Sequence, residues 1–245
     1  VESGLAVKIN PQMLRDAIAH VAFAAATEDS RPVLTGIKVE INGDKFTFAA
    51  ADGFRLAVFN GELIEPASEE IDFIIPARAL QEVNRLIGGQ KEPVEFTVTP
   101  SKNQALFKLD NIEIVTQLIQ GAFPKYNQLI PQSFDTRAVV DLKEFLMATK
   151  SASIFARDGS GIVRLQLTGS SEGSEAGKLS ISSKAEELGD NQGEIDAEVE
   201  GEESKIALNS KYLADVLYVL GNGKVALETT TSSSPGVLRR VGDDR

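Results

Sequence analysis

The chain contains no cysteine, no tryptophan and a single histidine in 245 residues. Without cysteine there is no disulfide framework and no thiolate zinc site, which fits a reducing compartment. His20 has no second imidazole to share a metal, and it reads as a partly buried or surface residue of a helix. No HExxH or EF-hand spacing supplies a metal site from carboxylates. No Walker loop, GxGxxG or GxSxG occurs. Asp158-Gly159-Ser160-Gly161 is glycine-rich, but no Lys-Ser/Thr follows at P-loop spacing, so it reads as a surface turn. No apolar run approaches the roughly 18 residues of a membrane span. Val1 onward does not resemble a signal peptide, because Glu2 is acidic and no long apolar core follows. These absences point to a cytoplasmic chain with no membrane partner, no metal and no catalytic constellation.

What is present is a globular composition, 42% hydrophobic and 25% charged, long enough for one large domain or two ordinary ones. The net charge of −11 argues against a uniformly basic nucleic-acid binder. It leaves room for a locally basic face, because distribution matters more than the sum. The acidic excess is concentrated in Glu172, Glu175, Glu186, Glu187, Asp190, Glu194, Asp196, Glu198, Glu200, Glu202 and Glu203, which read as solvated loops and strand edges. Ser170 to Gly177 reads as a Ser/Gly/Glu hairpin loop.

Periodicity gives a strand at Leu5 to Ile9, then a helix from Pro11 to about Ala24 carrying Met13, Leu14, Ala17, Ile18 and Val21 inward. Ile37, Val39 and Ile41, then Phe46 and Phe48, alternate as two strands joined at Asn42-Gly43-Asp44, where Asn-Gly predicts a tight hairpin with both central residues at positive φ. After a turn at Asp52-Gly53 a third strand is predicted over Phe54 to Phe59. A strand at Ile71 to Ile75 leads to a helix opened by Pro76 and stopped by Gly88-Gly89. Strands follow at Val94 to Val98, Ala105 to Leu109 and Ile112 to Ile119.

The second half repeats this order. Strand Ala138 to Val140 precedes a helix with Leu142, Phe145, Leu146, Thr149 and Ala152. Strands Ile162 to Leu167, Lys178 to Ser182 and Ile206 to Leu208 lead to a helix capped by Asn209 or Ser210. Strands Val225 to Glu228 and Val237 to Val241 close the order. Asn60-Gly61-Glu62-Leu63 recurs as Gln192-Gly193-Glu194-Ile195, and Arg78, Leu80 and Val83 recur as Lys211, Leu213 and Val216, an offset of about 132 residues. The repeating unit is therefore a whole α+β domain with helices on one face of antiparallel sheets. The boundary falls near Pro131 to Arg137, giving domains 1–132 and 133–245. The same offset puts the counterpart of the first unit's last strand from about Asp244 onward. The second domain is thus expected to lack its closing strand, and the chain to be a fragment.

The segment AADGFRLAV, Ala50 to Val58, reads from its residues alone as a β-turn followed by an amphipathic strand. It also resembles a segment of the middle domain of bacterial DNA polymerase III β sliding clamps. Ser30-Arg31-Pro32-Val33-Leu34-Thr35-Gly36, Gly121-Ala122-Phe123-Pro124-Lys125-Tyr126 and Asn209-Ser210-Lys211-Tyr212-Leu213 resemble further segments of that family, in its order and across nearly the whole chain. The resemblance implies tandem DNA-clamp domains with internal pseudo-symmetry, the second and third of three, without the family's Pro-Met-like tail. It implies a processivity factor and not an enzyme, needing no cofactor. Two full-length chains would form a homodimer ring around duplex DNA. The implied protein partners are the replicative DNA polymerase catalytic subunit, a clamp loader that spends the ATP, and repair polymerases carrying clamp-binding peptides.

Two sets of residues follow from that resemblance. A partner-peptide cleft between the two domains takes Leu34, Ala51, Gly53, Phe54, Arg55, Leu56, Pro124, Gln128, Leu129, Asn209, Tyr212 and Ser234. Leu34, Leu56 and Leu129 would form its apolar floor, or else be plain core. Ala51 and Phe54 stand where the family commonly has Thr and His, which implies an altered peptide preference. The DNA-facing set is Arg15, Arg31, Arg78, Arg85, Lys143, Lys150 and Lys211, read without the family as ordinary solvated helix faces. Such contacts would be phosphate-directed and sequence-blind. The alternatives are a non-DNA adaptor sharing the cleft, and a duplicated hydrolase using the carboxylates of Asp190 to Glu203.

Overall fold

Local caps and turns set where each element begins in the computed structural model, which describes residues 3–170, 176–185 and 189–242. Contacts divide these residues into two units, one ending at Tyr126 and one beginning at Asn127. Every strand pairing among the described residues is antiparallel.

In the first unit, strand β1 (Leu5–Ile9) buries Leu5, Val7 and Ile9 in alternation. Helix α1 (Pro11–Val21) starts on Asn10, whose Oδ1 accepts the amides of Gln12 at 2.9 Å and Met13 at 3.2 Å. That cap satisfies two of the four amides a helix start leaves open. The α-helix ends at Val21, and Ala22–Ala24 continue as a 3-10 turn. Strands β2 (Gly36–Asn42) and β3 (Lys45–Ala51) pair Asn42 opposite Lys45, so the turn residues are Gly43 and Asp44. Only Gly43, at φ +59°, is left-handed, which is the II′ arrangement with glycine first and not the doubly positive turn expected from Asn-Gly.

Strands β4 (Leu56–Glu62) and β5 (Ile71–Pro76) complete a sheet in the order β4-β3-β2-β5. Helix α2 (Ala77–Ile87) buries Ala77, Leu80, Val83 and Ile87. Strands β6 (Val94–Val98), β7 (Gln104–Lys108) and β8 (Glu113–Gln117) join β1 in a second sheet, β1-β6-β7-β8. Between the sheets and helices lies a phenylalanine-rich core. Phe96 stacks on Phe107 at 4.6 Å and leans on Phe73 at 5.5 Å. Gly61 faces Phe46 across β3 and β4, and a Cβ there would meet the ring at 2.3 Å.

The second unit runs β9 (Thr136–Asp141), α3 (Leu142–Arg157), β10 (Ile162–Thr168), β11 (Gly177–Ala185), β12 (Gly189–Gly201), β13 (Ser204–Asn209), α4 (Ser210–Leu220), β14 (Lys224–Thr229) and β15 (Val237–Arg240). Its strands form one seven-stranded sheet, β13-β10-β11-β12-β9-β14-β15. The difference from the first unit is the length of β12. Gly189 to Ala197 pair with β11, and Glu198 to Gly201 pair with β9. In the first unit β4 stops at Glu62, and only the Ile64 amide reaches the Lys8 carbonyl, at 3.0 Å.

β12 corrects the reading of its segment as acidic loops and strand edges. Ile195, Ala197 and Val199 alternate with Glu194, Asp196, Glu198 and Glu200, so one face is packed and the other charged. Only Ala197 on that packed face is fully buried, which is why the apolar signal was weak. Glu172, Glu175, Glu186 and Glu187, and most of the Ser170 to Gly177 loop, lie outside the described residues, as does Asp244. Among the described residues no helix is long and apolar enough to cross a membrane.

The helix pairs repeat as well. Pro11, Leu14, Ile18 and Val21 of α1 hold the places of Leu142, Phe145, Thr149 and Ala152 of α3, all buried. One substitution in that series is polar. Thr149 is fully buried in α3 and its hydroxyl has no hydrogen-bond partner among the described residues, where α1 carries Ile18. An unpaired buried hydroxyl costs about 1–3 kcal/mol. Thr149→Val keeps the shape and removes that group, so it is expected to stabilise the chain by about 1 kcal/mol. A urea titration checks this: the midpoint should rise at unchanged slope, and an unchanged midpoint would contradict it.

Candidate partner-binding turn and helix faces

The β3–β4 connection is a four-residue turn, Asp52 to Arg55, built on one carboxylate. Asp52 Oδ1 accepts the amides of Phe54 at 2.9 Å and Arg55 at 3.0 Å, while Oδ2 accepts Arg55 Nε at 3.1 Å. The Asp52 amide donates to the Arg55 carbonyl at 3.3 Å. This is the backbone-mimicking bonding that suits Asp to turns. Gly53 sits at φ +96°, a conformation that a side chain would strain. Because the turn consumes these residues, β4 starts at Leu56 and not at Phe54.

The turn is held by contacts with two residues outside it, Arg31 and Phe23. Arg31 Nη2 donates to the Asp52 carbonyl at 2.8 Å. The Arg55 guanidinium lies over the Phe23 ring, 5.4 Å from its centroid. Both arginines therefore pack on the turn, and Phe54 is pushed out at its tip with 82% of its surface exposed. Ala51 and Leu34 are buried beside it, and Leu56 is half-buried.

Pro124 follows on an exposed stretch leading to Tyr126, which starts a short 3-10 turn, Tyr126–Leu129. Tyr126 is buried and donates its hydroxyl to the Glu40 carboxylate of β2. Gln128 and Leu129 are exposed, Leu129 by 60%. In the second unit Asn209 caps α4, its Oδ1 accepting the amides of Lys211 at 3.0 Å and Tyr212 at 3.1 Å. Ser234 lies in the β14–β15 connection and its hydroxyl contacts that of Thr231 at 2.6 Å. Leu34, Ala51, Gly53, Phe54, Arg55 and Leu56 thus gather around one turn of the first unit, while Asn209 and Ser234 sit on separate connections of the second.

The cationic residues divide by partner. Arg15 donates to the Gly88 carbonyl and to Gln12 Oε1, and Arg85 pairs with Glu82 at 2.6 Å. The Arg85 hydrogen bond holds the Glu82 carboxyl below its ordinary range. Arg78, Lys143 and Lys211 are exposed and have no ion-pair partner among the described residues. Lys143 and Lys150 lie two turns apart, on one face of α3, with exposed Met147 between them. Lys150 Nζ rests 5.9 Å from the ring of Tyr218 on α4, which is 72% exposed. Arg31 alone of the set lies off the helices, on the turn described above.

Sequence reasoning did not assign Asp52 or Glu40 to the site. Asp52 was legible as the head of an Asp-Gly turn; its hold on the next two amides needed geometry. Nothing local marked Glu40, because its partner is 86 residues away. The hydrolase alternative fails on placement. Asp190 and Glu200 stand ten residues apart on one extended strand, about 33 Å. Between them Lys178 pairs with Glu194 and Asp196, and Lys224 with Glu198. His20 packs on Phe59 at 5.4 Å and contacts the Asp16 carbonyl oxygen through Nδ1 at 2.6 Å, a structural arrangement.

Residues 8–125 match a family model of the DNA polymerase III beta subunit, central domain, and residues 127–245 match that of its C-terminal domain. The chain is 34% identical over 240 residues to the beta sliding clamp of Staphylococcus aureus, covering 98% of this chain and 61% of that protein. It is 31% identical over 246 residues to the beta sliding clamp of Bacillus subtilis, covering 100% and 63%. Among solved structures it superposes on the DNA polymerase sliding clamp from Bacillus subtilis with a TM-score of 0.92 at 30% identity, spanning 63% of that chain. The corresponding figures for a sliding clamp from Pseudomonas aeruginosa are 0.90, 26% and 65%. The chain thus spans under two thirds of the length of these relatives.

The Tyr126 contact has a pH signature. Burial first, then the Glu40 carboxylate, raises the phenol above its ordinary value of 10.0. A group whose folded pKa is raised stabilises fully below its unfolded pKa and loses that contribution as pH rises past it. Stability is therefore expected to fall as pH rises above about 10. Tyr126→Phe should cost about 1–2 kcal/mol at neutral pH and flatten that alkaline fall. Urea midpoints of both proteins across the range check it; parallel pH profiles would contradict it.

Proposed function

The chain belongs to the DNA polymerase III beta subunit family, and we propose that it forms the central and C-terminal domains of a DNA sliding clamp. This reading divides the chain near Pro131 to Arg137, into domains 1–132 and 133–245. Its role is topological and not catalytic. A full-length homodimer ring encircles duplex DNA in the cytoplasm and tethers the replicative polymerase, which raises the polymerase's local concentration at the primer end. It uses no cofactor of its own; ATP is used by the clamp loader.

The observation that carries this reading is the ordered match of both units to the two family domains over nearly every residue. The physical features agree with it. In each unit a helix pair covers the sheets and turns modest positive charge outward, from Arg78 beside the Arg85–Glu82 pair in the first and Lys143, Lys150 and Lys211 in the second. Few and exposed cations suit a contact that must slide, because phosphate binding is sequence-blind and strengthens with each neutralised charge.

Partner peptides, from the polymerase catalytic subunit, the clamp loader and repair polymerases, are assigned on the first unit to Leu34, Ala51, Gly53, Phe54, Arg55, Leu56 and Pro124. On the second unit they are assigned to Gln128, Leu129, Asn209, Tyr212 and Ser234. Phe54 replaces a group able to hydrogen-bond with a purely apolar ring, so apolar and aromatic peptide side chains should be favoured at that point.

Fluorescence anisotropy of a labelled QLxLF-type peptide on the full-length protein tests this. Saturable binding is expected, and Leu56→Asp should weaken it at least about tenfold by placing a charge on the apolar floor. Binding that survives Leu56→Asp, or no binding by the folded wild type, would contradict the assignment.

A further inference from the structure

Arg31 was grouped with the DNA-facing residues, yet its contacts are with the turn that carries Phe54. Its Nη2 donates to the Asp52 carbonyl at 2.8 Å, from 21 residues upstream. The guanidinium also turns its Nη1/Nη2 edge toward Gly53. A Cβ on Gly53 would stand 2.8 Å from Nη1 and 3.0 Å from Nη2, closer than real side chains approach. The glycine therefore serves two purposes, a left-handed φ and the room in which Arg31 sits.

The bonding of the turn shows what Arg31 adds. The Asp52 carboxylate closes the turn on itself through the Phe54 and Arg55 amides and Arg55 Nε. Those bonds fix the shape of the turn but not its direction relative to the body of the unit. Arg31, together with the Arg55–Phe23 contact, supplies a direction. It precedes the 3-10 turn Pro32–Thr35, which carries buried Leu34 and leads straight into β2 at the centre of the sheet. Arg31 is thus a strut from the sheet to the exposed turn, and a charged donor on a carbonyl is among the stronger neutral-acceptor bonds.

We infer that Arg31 is a positioning residue for partner recognition: it holds the Asp52–Gly53 turn so that Phe54 is presented in one orientation. The inference rests on the partner-peptide reading above. A presented aromatic binds well only if its order does not have to be bought at the moment of binding, so loosening the turn lowers affinity without removing any contact.

The test uses the full-length protein, a labelled QLxLF-type peptide, and amide hydrogen exchange read at Phe54 and Arg55 without peptide. Arg31→Ala should weaken peptide binding about tenfold and speed exchange of those two amides by a similar factor. Arg31→Lys, which keeps one charged donor but not the two-nitrogen edge against Gly53, should recover part of both. Peptide affinity within about twofold of wild type in Arg31→Ala would overturn the inference. So would a fall in affinity with unchanged exchange, which would make Arg31 a direct peptide contact. Leu56→Asp serves as the parallel control. If it too leaves binding intact, the partner-site reading fails, and the exchange rates alone still decide whether Arg31 orders the turn.

Discussion

The structure depends on one constraint: each unit has two amphipathic helices and must bury their apolar stripes against antiparallel sheets. In the first unit Leu14, Ile18 and Val21 of α1 and Leu80, Val83 and Ile87 of α2 reach the same phenylalanine-rich core. In the second, Phe145 and Ala152 of α3 and Leu213 and Leu217 of α4 reach an aliphatic core in which leucine is the commonest residue. Burying those stripes fixes what the helices show to water. Residues at the remaining positions, Arg78 and Arg85 in one pair and Lys143, Lys150 and Lys211 in the other, are turned outward whatever the overall charge of −11. An acidic chain can therefore carry a locally cationic face, and the family to which it belongs supplies the reason to look for one.

The second consequence concerns the sheet edge. A hairpin strand such as β3 has to return, and the residues that return it are free of core duty. Here that turn is tied internally by Asp52 and externally by Arg31, with Arg55 folded over Phe23. The result is a braced turn with an exposed phenyl ring at its tip, in a chain with few aromatic residues to spare. Exposed aromatics on ordered turns are suited to recognition because little conformational entropy remains to be lost on contact.

Much of this was legible from sequence. Pro11 at the start of α1, the cap at Asn209 or Ser210, the stop at Gly88 and the strands β1, β2 and β6 are local signals, and the α+β duplication shows in the recurrence of Arg78, Leu80 and Val83 as Lys211, Leu213 and Val216. Legibility failed where the deciding partner was distant or the signal diluted. β12 reads from sequence as solvated loops and strand edges because Ile195, Ala197 and Val199 are diluted by the acidic residues between them. The join at Asn42-Gly43-Asp44 is legible, but the register, and not Asn-Gly alone, chooses Gly43 and Asp44 as its centre. The bond of Arg31 to the Asp52 carbonyl spans 21 residues and leaves no mark in the local sequence.

The central claim is that the full-length protein holds DNA by topology. Loading it onto a nicked circular plasmid with a clamp loader and ATP, then cutting the circle at one site, tests that claim most directly. The account predicts that the protein stays with the circle through gel filtration and is lost on linearisation, with little dependence on sequence. Equal retention on circular and linear DNA, or none on either, would contradict it.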